Sequence, residues 1–325
     1  MSVPETGPPL VTVIVLNYNG KAYVKRCLKS LFRNSYTNFE VFCIDNNSKD
    51  GSAETAQQLF STEPRFTLIR NRRNLGFSVG NNIGFKRSNA KYVIILNHDT
   101  EVREDFIETM TQAAESDEKI GSVGCKTIQS DGRILYGPKY MSFGFIVHAL
   151  DKQTYDRFTV NLANCGCASL FRKATLDKMG GFDPYLWTDW EDHDLGYRIN
   201  SAGFKCVYTP KTTVLHLGGG SYLGMSEQRE IRIVRNKLFT YVKNYETANM
   251  LTRFPLVLIM EMLLKTKNRQ GGLFLKGMIQ FFSNIAPIIG ERKQIQKHRL
   301  TSDTQIFISC RVPEQMSFWK SLKTS

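Results

Sequence analysis

A fourfold alternation in the first hundred residues constrains this chain most. Short β-branched runs at 10–16, 39–44, 66–69 and 91–96 are separated by segments with helical spacing. In the first of these segments, 21–32, Tyr23, Val24, Cys27, Leu28 and Leu31 share one face. The second, 52–60, opens on Ser52, a good N-cap. The third begins in a glycine-punctuated stretch at Gly76 and reaches about Asn89. Apolar runs this short, bounded by Asn, Asp and Gly, read as buried parallel strands and not as membrane spans. Strands alternating with helices at this pitch predict an α/β fold with a doubly wound, Rossmann-like sheet.

In such sheets ligands sit beyond the carboxyl ends of the strands. Three successive ends carry Asn17, Tyr18 and Asn19, then Asp45 and Asn46, then Asn97, His98 and Asp99. One such cluster is an ordinary turn. Three together describe a polar pocket.

Further along, 105–114 reads as a helix, 120–123 as a strand and 125–160 as irregular chain with room for strands and a flexible loop. A strand at 168–171 and a helix at 173–179 precede Gly180, Gly181, Phe182 and Asp183. A helix is expected at 195–202, and strands at 204–209 and 213–216 run into Gly218, Gly219 and Gly220. Asp99, just past an apolar strand, suits Mg²⁺ or Mn²⁺, which prefer oxygen ligands. It also suits a helix cap. Glu191, Asp192, His193 and Asp194 stand beside Trp187 and Trp190. Acids among large aromatics are partly desolvated, which raises their pKa and fits general-base work. The other reading makes them first-turn helix acids. His216 before flexible glycines is a metal ligand or a hydrogen-bonded structural histidine. Gly76, Gly80 and Gly84, with Asn81 and Asn82 between them, let backbone approach a nucleotide or sugar, or pack a helix closely. Their spacing matches neither the dinucleotide fingerprint nor the P-loop.

Together these segments resemble glycosyltransferase family 2, the inverting GT-A enzymes, and within it the rhamnosyltransferase-like branch. The resemblance rests on 13–20 (VIVLNYNG), 44–52 (IDNNSKDGS), 74–84 (NLGFSVGNNIG), 96–100 (LNHDT), 180–183 (GGFD), 190–195 (WEDHDL) and Arg198. It covers residues 10 to 225 and implies a GT-A fold, a mixed sheet acting on a nucleoside-diphosphate sugar. Asn17, Tyr18, Asp45 and Asn46 fall where the family holds base and ribose. Asn46 stands where many members have a second acid. Gly76, Asn81, Asn97 and His98 complete the implied donor contacts. Asn97, His98 and Asp99 fall on the Asp-X-Asp metal motif, with Asn97 replacing its first acid, so Asp99 becomes the main carboxylate ligand and His216 the second. Asp192, with Glu191 before it, matches the catalytic base. The implied cofactor is one divalent ion, Mg²⁺ or Mn²⁺. The implied acceptor is a glycan or lipid-linked glycan.

The formal charge of +13 has a definite place. Residues 226–325 hold 17 Lys+Arg against 7 Asp+Glu, whereas residues 1–225 hold 26 against 23. This step divides the chain into a catalytic domain, 1–225, and a basic, partly apolar helical extension, 226–325. Arg229, Arg232, Arg235 and Lys237 read as a solvated helix face. The apolar stretches 254–264 and 273–290, the second interrupted by Lys276, Asn284 and Pro287, fall short of the about 20 residues of a span. With their flanking lysines and arginines they read as interfacial helices on an anionic membrane. They also fit a subdomain packed on the catalytic part or forming a homo-oligomer. Seven cysteines without repeated pair spacing read as buried reduced thiols. Pro4, Pro8 and Pro9 without a basic stretch give no secretory signal. The expected location is therefore cytoplasmic, peripheral on the inner face of the cell membrane. Charge far from the pocket and no recognised motif argue against nucleic acid. A non-catalytic sugar-nucleotide or glycan-binding module on the same fold is the alternative to an enzyme.

Overall fold

A computed structural model of the chain describes residues 7–142, 145–148, 154–218 and 226–311. The first half alternates as expected. Strands β1 (Val11–Asn17), β2 (Phe39–Asp45), β3 (Phe66–Arg70) and β4 (Tyr92–Asn97) are separated by helices α1 (Val24–Phe32), α2 (Ser52–Phe60) and α3 (Gly76–Arg87). Then follow β5 (Thr100–Val102), α4 (Phe106–Glu115), β6 (Ile120–Gln129), β7 (Ile134–Tyr136), β8 (Lys139–Ser142), β9 (Phe145–His148), β10 (Thr159–Asn161) and β11 (Ala168–Arg172). Helices α5 (Lys173–Met179) and α6 (Glu191–Ser201) precede β12 (Lys205–His216). The main sheet runs β10-β12-β6-β11-β4-β1-β2-β3, with β5 and β7 at its margin.

Both faces of this sheet are covered, so its strands are apolar on both sides. Val11, Val13 and Val15 pack toward α1 and α4, beside Leu28, Leu31 and Phe106. Ile14 packs the other way, with Phe85, Phe171 and Phe182. β1 is parallel to β2 and β4, and Asn17 lies level with Asp45 while Leu16 lies level with Asn97. The three polar strand ends therefore share one edge. β11 joins β4 antiparallel, and β12 joins β6 parallel.

The structure corrects several boundaries. Residues 125–160, where strands and a flexible loop are expected, contain the end of β6, strands β7 to β9 and the start of β10, with 143, 144 and 149–153 outside the described residues. The two short strands expected at 204–209 and 213–216 are one strand, irregular between Thr209 and Thr213. Helix α6 begins at Glu191, four residues earlier than expected.

The C-terminal part forms α7 (Glu227–Asn244), α8 (Thr247–Lys267), α9 (Gly271–Ser283), α10 (Ile285–Lys297) and α11 (Asp303–Ser309). The expected division at 225 falls in 219–225, which with Gly219 and Gly220 lies outside the described residues. Helix α7 is not a solvated face. Its Val234, Leu238, Phe239 and Tyr241 share a core with Leu162, Leu186 and Tyr197. Lys243 on α7 is buried against Asp183, Asp194 (2.9 Å) and Glu291 (3.2 Å). Arg292 from α10 donates to the carbonyls of Val242 (2.6 Å) and Tyr245, closing the C-terminal end of α7.

Helix α8 also departs from expectation. It runs 21 residues and is long and apolar enough to cross a membrane by length and composition. Yet Glu261 pairs with Lys237 at 2.5 Å, and Lys265 pairs with Glu230. These partners run antiparallel, so α8 lies lengthwise along α7. The apolar stretch 273–290 is broken into α9 and α10, bent by 65° at Asn284.

Candidate active site

Two adjoining chambers lie at the strand ends. One, about 420 Å³, is lined by Tyr18, Asn46, Gly76, His98, Asp99 and Trp187, among others. The other, about 200 Å³, is lined by Lys139, Cys165, Gly166, Glu191, Asp192 and His216, among others. Phe77, Asn97 and Arg229 border both.

In the larger chamber Tyr18 is an exposed aromatic at the end of β1. Asn46 is fixed from both sides. Its amide donates to the Gly76 carbonyl at 3.0 Å, and its oxygen accepts from Asn71 at 2.8 Å. Gly76 adopts φ +77°, and a Cβ there would overlap the Trp187 ring. Asn17 and Asp45 do not line the chamber. The Asn17 amide reaches Asp45 Oδ1 (3.0 Å) and Ser52 Oγ (2.9 Å), so the two brace the strand ends from behind. Asn81 also lies outside both chambers, where its amide donates to the Phe77 carbonyl one turn back.

Asp99, His98 and His216 are all nearly buried. β5 pairs with β12 so that Thr100 faces His216, which brings the His216 ring beside Asp99. His216 Nε2 lies 3.6 Å from Asp99 Oδ1. Asp99 Oδ1, His216 Nδ1 and His98 Nε2 have no hydrogen-bond partner. His98 Nδ1 lies 3.1 Å from the Leu16 carbonyl, an acceptor only, so Nδ1 is the donor of that contact. A buried carboxylate oxygen without a partner is costly unless a cation completes it. No group of three or more His, Cys, Asp and Glu side chains fit for a metal exists among the described residues. Asp99 and His216 thus fit an ion that takes its remaining ligands from phosphate and water, the habit of Mg²⁺ and Mn²⁺ in phosphate sites.

In the smaller chamber Glu191 and Asp192 are the first two residues of α6. Asp192 Oδ2 accepts from Lys139 Nζ at 2.5 Å and from the Gly166 N–H at 3.1 Å. Its Oδ1 accepts from the His193 N–H at 2.8 Å. Burial alone would raise the Asp192 pKa, but the Lys139 charge and His193 outweigh it and hold the carboxyl well below the usual range. Glu191 goes the opposite way. Burial, then the charges of Asp192 and Asp189, push it well above the usual range. Two adjacent carboxyls driven apart is the arrangement that separates a proton acceptor from a neutral neighbour.

The chain matches the glycosyl transferase family 2 profile over residues 12–180. It belongs to glycosyltransferase family 2. The O-antigen biosynthesis protein RfbC of Myxococcus xanthus is 24% identical over 226 residues, 66% of this chain but only 18% of RfbC. The chain spans a quarter or less of the length of such curated relatives. The fold matches S. aureus TarS 1-349 in complex with UDP-GlcNAc, with TM-score 0.60, 14% identity and 89% of this chain against 86% of that one. It also matches a mannosyltransferase of Pyrobaculum calidifontis in complex with GDP-Man and Mn²⁺, with TM-score 0.57, 16% identity and 85% against 88%. The GT-A fold of this family 2 chain is thereby established.

Several residues in and around this cleft escaped sequence reasoning. Lys139 lay in a stretch read as irregular. Arg229 and Arg232, read as a solvated face, border the larger chamber and converge on Asp189. Their signal was the i, i+3 spacing on a helix shortly after His216. Asn236 was also missed. Its amide reaches the carbonyls of Leu186 (2.8 Å), Thr188 (3.0 Å) and Asp189 (2.7 Å). It holds a segment in which Trp187, Asp189 and Trp190 all have positive φ.

Proposed function

We propose that the protein is an inverting glycosyltransferase. It moves a hexose or rhamnose from a nucleoside-diphosphate sugar to a hydroxyl of a glycan or lipid-linked glycan. The observation that carries this reading is the buried Asp192, held ionised beside Lys139, in a chamber that shares Phe77, Asn97 and Arg229 with the one lined by Asp99. The donor lies in the larger chamber, with Tyr18 against the base. The acceptor enters the smaller one. Asp192 takes the proton of the acceptor hydroxyl as its oxygen attacks the anomeric carbon from the face opposite the leaving diphosphate. A single displacement inverts that centre, and no covalent intermediate forms. Asp99 and His216 hold the divalent ion, which when bound offsets negative charge on the leaving group. Release of free sugar from UDP-, GDP- or dTDP-sugars, screened with and without Mn²⁺, tests the reading, and no turnover across the panel would favour a binding module instead. Asp99→Ala is expected to weaken Mn²⁺-dependent binding of nucleoside diphosphate at least tenfold. Calorimetry with and without Mn²⁺ reads this, and an unchanged metal dependence would remove Asp99 from the site.

The protein works at the cytoplasmic face of a membrane. Leu256, Ile259 and Leu263 on α8 and Leu275, Ile279 and Phe282 on α9 are each about half exposed or more. Large apolar side chains clustered this way mark a contact surface. Exposed Lys267, Arg269 and Lys276 on and between the same helices supply charge for anionic headgroups. With α8 pinned lengthwise to α7, the fit is to a surface and not to a span. The full chain should co-sediment with phosphatidylglycerol vesicles, and much less with phosphatidylcholine. The triple variant Leu256→Ser, Ile259→Ser, Leu263→Ser should lose most of that binding, and equal sedimentation would refute the surface.

A further inference from the structure

We infer that Arg229 and Arg232 form an anion-binding jaw for the donor's diphosphate, and that Asp189 occupies this jaw as a placeholder until the donor arrives. The inference rests on the reading of the cleft as a nucleotide-sugar site.

One carboxylate holds both guanidinium groups. Arg229 approaches Asp189 Oδ1 through Nε (3.0 Å) and Nη2 (2.9 Å). Arg232 approaches Oδ2 through Nε (3.2 Å) and Nη2 (2.9 Å). Each guanidinium thus turns its Nε and Nη2 edge toward one carboxylate oxygen, and that same edge can engage two oxygens of a phosphate. The arginines stand three residues apart on α7, one turn of helix, and so present their forks side by side. The Arg232 guanidinium lies 4.9 Å from the Trp187 ring centre, which fixes its plane. Trp187 in turn rests on Gly76.

Three observations separate a jaw from a structural tie. The two arginine side chains keep about a fifth of their surface exposed (22% and 20%), while Asp189 keeps only 7%. Both arginines border the chamber that contains Asp99, whereas Asp189 borders only the smaller one. Both guanidinium groups meet on the one carboxylate, so two cationic side chains stand together in the wall of the larger chamber. A tie between α7 and the 187–190 segment already exists in Asn236.

Asp189 keeps the two forks aligned in the donor-free protein. It also competes with the donor for the same N–H groups. The competition gives variants of opposite sign. Charged hydrogen bonds of this kind are worth roughly 10- to 100-fold in affinity each. Arg229→Ala and Arg232→Ala are each expected to weaken UDP, GDP or dTDP binding by at least about tenfold, with little effect on the parent nucleosides. Asp189→Asn is expected to strengthen diphosphate binding several-fold, because the competing charge is gone. The conservative Arg229→Lys and Arg232→Lys keep charge but lose the fork, and should fall between wild type and the alanine variants.

The experiment is calorimetry on the full chain with UDP, GDP, dTDP and the parent nucleosides, with thermal melts as the check on folding. If the wild type binds no nucleoside diphosphate, the donor reading fails and the jaw fails with it. If the wild type binds one and the folded arginine variants bind it equally well, the jaw is overturned and the donor reading stands. A folded Asp189→Asn protein that binds as weakly as the arginine variants would make Asp189 a support and overturn the placeholder. Should Asp189→Asn not fold, the lysine variants decide, and lysine affinities equal to wild type would overturn the forks.

Discussion

Asp192→Asn is expected to lower kcat by about 10²–10⁴-fold while leaving nucleoside diphosphate affinity within about threefold. The amide has nearly the shape of the carboxyl but cannot take a proton from an acceptor hydroxyl. It also cannot accept from both Lys139 and Gly166 with its nitrogen end. Lys139 is almost fully buried, so the variant strands an ammonium, and breaking such a pair costs about 3–5 kcal/mol. Assays therefore belong below the lowered melting temperature, and Lys139→Met in the same chain should recover part of the stability. Near-normal turnover in the folded single variant would remove Asp192 from the chemistry. The pH profile gives a second test. A base whose pKa is depressed stays ionised until the pH falls through that depressed value. The acidic limb of wild-type donor turnover should thus lie below the ordinary carboxylate range near pH 4. Lys139→Met removes the charge that depresses it, so the limb should move upward. A limb that stays in place would show that the ion pair does not set the base.

Lys243→Met is expected to cost about 3–5 kcal/mol of stability at pH 7. Lys243 is buried among Asp183, Asp194 and Glu291, and Asp194 is wholly buried. Methionine fills much of the volume but leaves the carboxylates without their shared cation. Arg198 still pairs with Asp194 at 2.8 Å, which limits the loss. Burial pushes the Asp194 pKa up, but Arg198, Lys243 and Asn244 pull it down to about 2. A group depressed in the folded state contributes stability that is present above its unfolded pKa, near 4, and is lost as pH falls toward 2. The difference between wild type and variant should therefore be largest at neutral pH and shrink under acid. Urea unfolding at several pH values measures it. A cost under 1 kcal/mol at pH 7, or one that grows under acid, would mean that the network does not hold α7 to α6.

The first four strands and three helices were legible because β1, β2 and β4 are apolar on both faces and end in Asn or Asp, and the shorter β3 falls between two helical stretches. The paired carboxyls were legible because acids beside Trp187 and Trp190 have few other uses. Asn17, Asp45 and Asn81 were legible as polar, but sequence cannot tell a side chain that lines a cleft from one that braces it. Asn17 spends its amide on Asp45 and Ser52, and Asn81 on its own helix. Lys139 was invisible because β8 is short and its partner lies 53 residues away. Arg229 and Arg232 were misread for a related reason. Charge on a helix looks the same in sequence whether it meets water or a buried aspartate across the fold.

The dependence of the Trp187–Trp190 segment on Asn236 also sets an order of events during synthesis. The proposed base and metal ligands lie before residue 217, but the proposed diphosphate jaw, and the amide that holds the Trp187–Trp190 segment, arrive later, on α7. That helix is itself closed at its far end by Arg292. At about 5–20 residues per second, several seconds pass between completion of the sheet and completion of the cleft. A half-made chain therefore has its sheet and its acidic pair but cannot yet turn over a donor, and activity switches on only as the last helices dock.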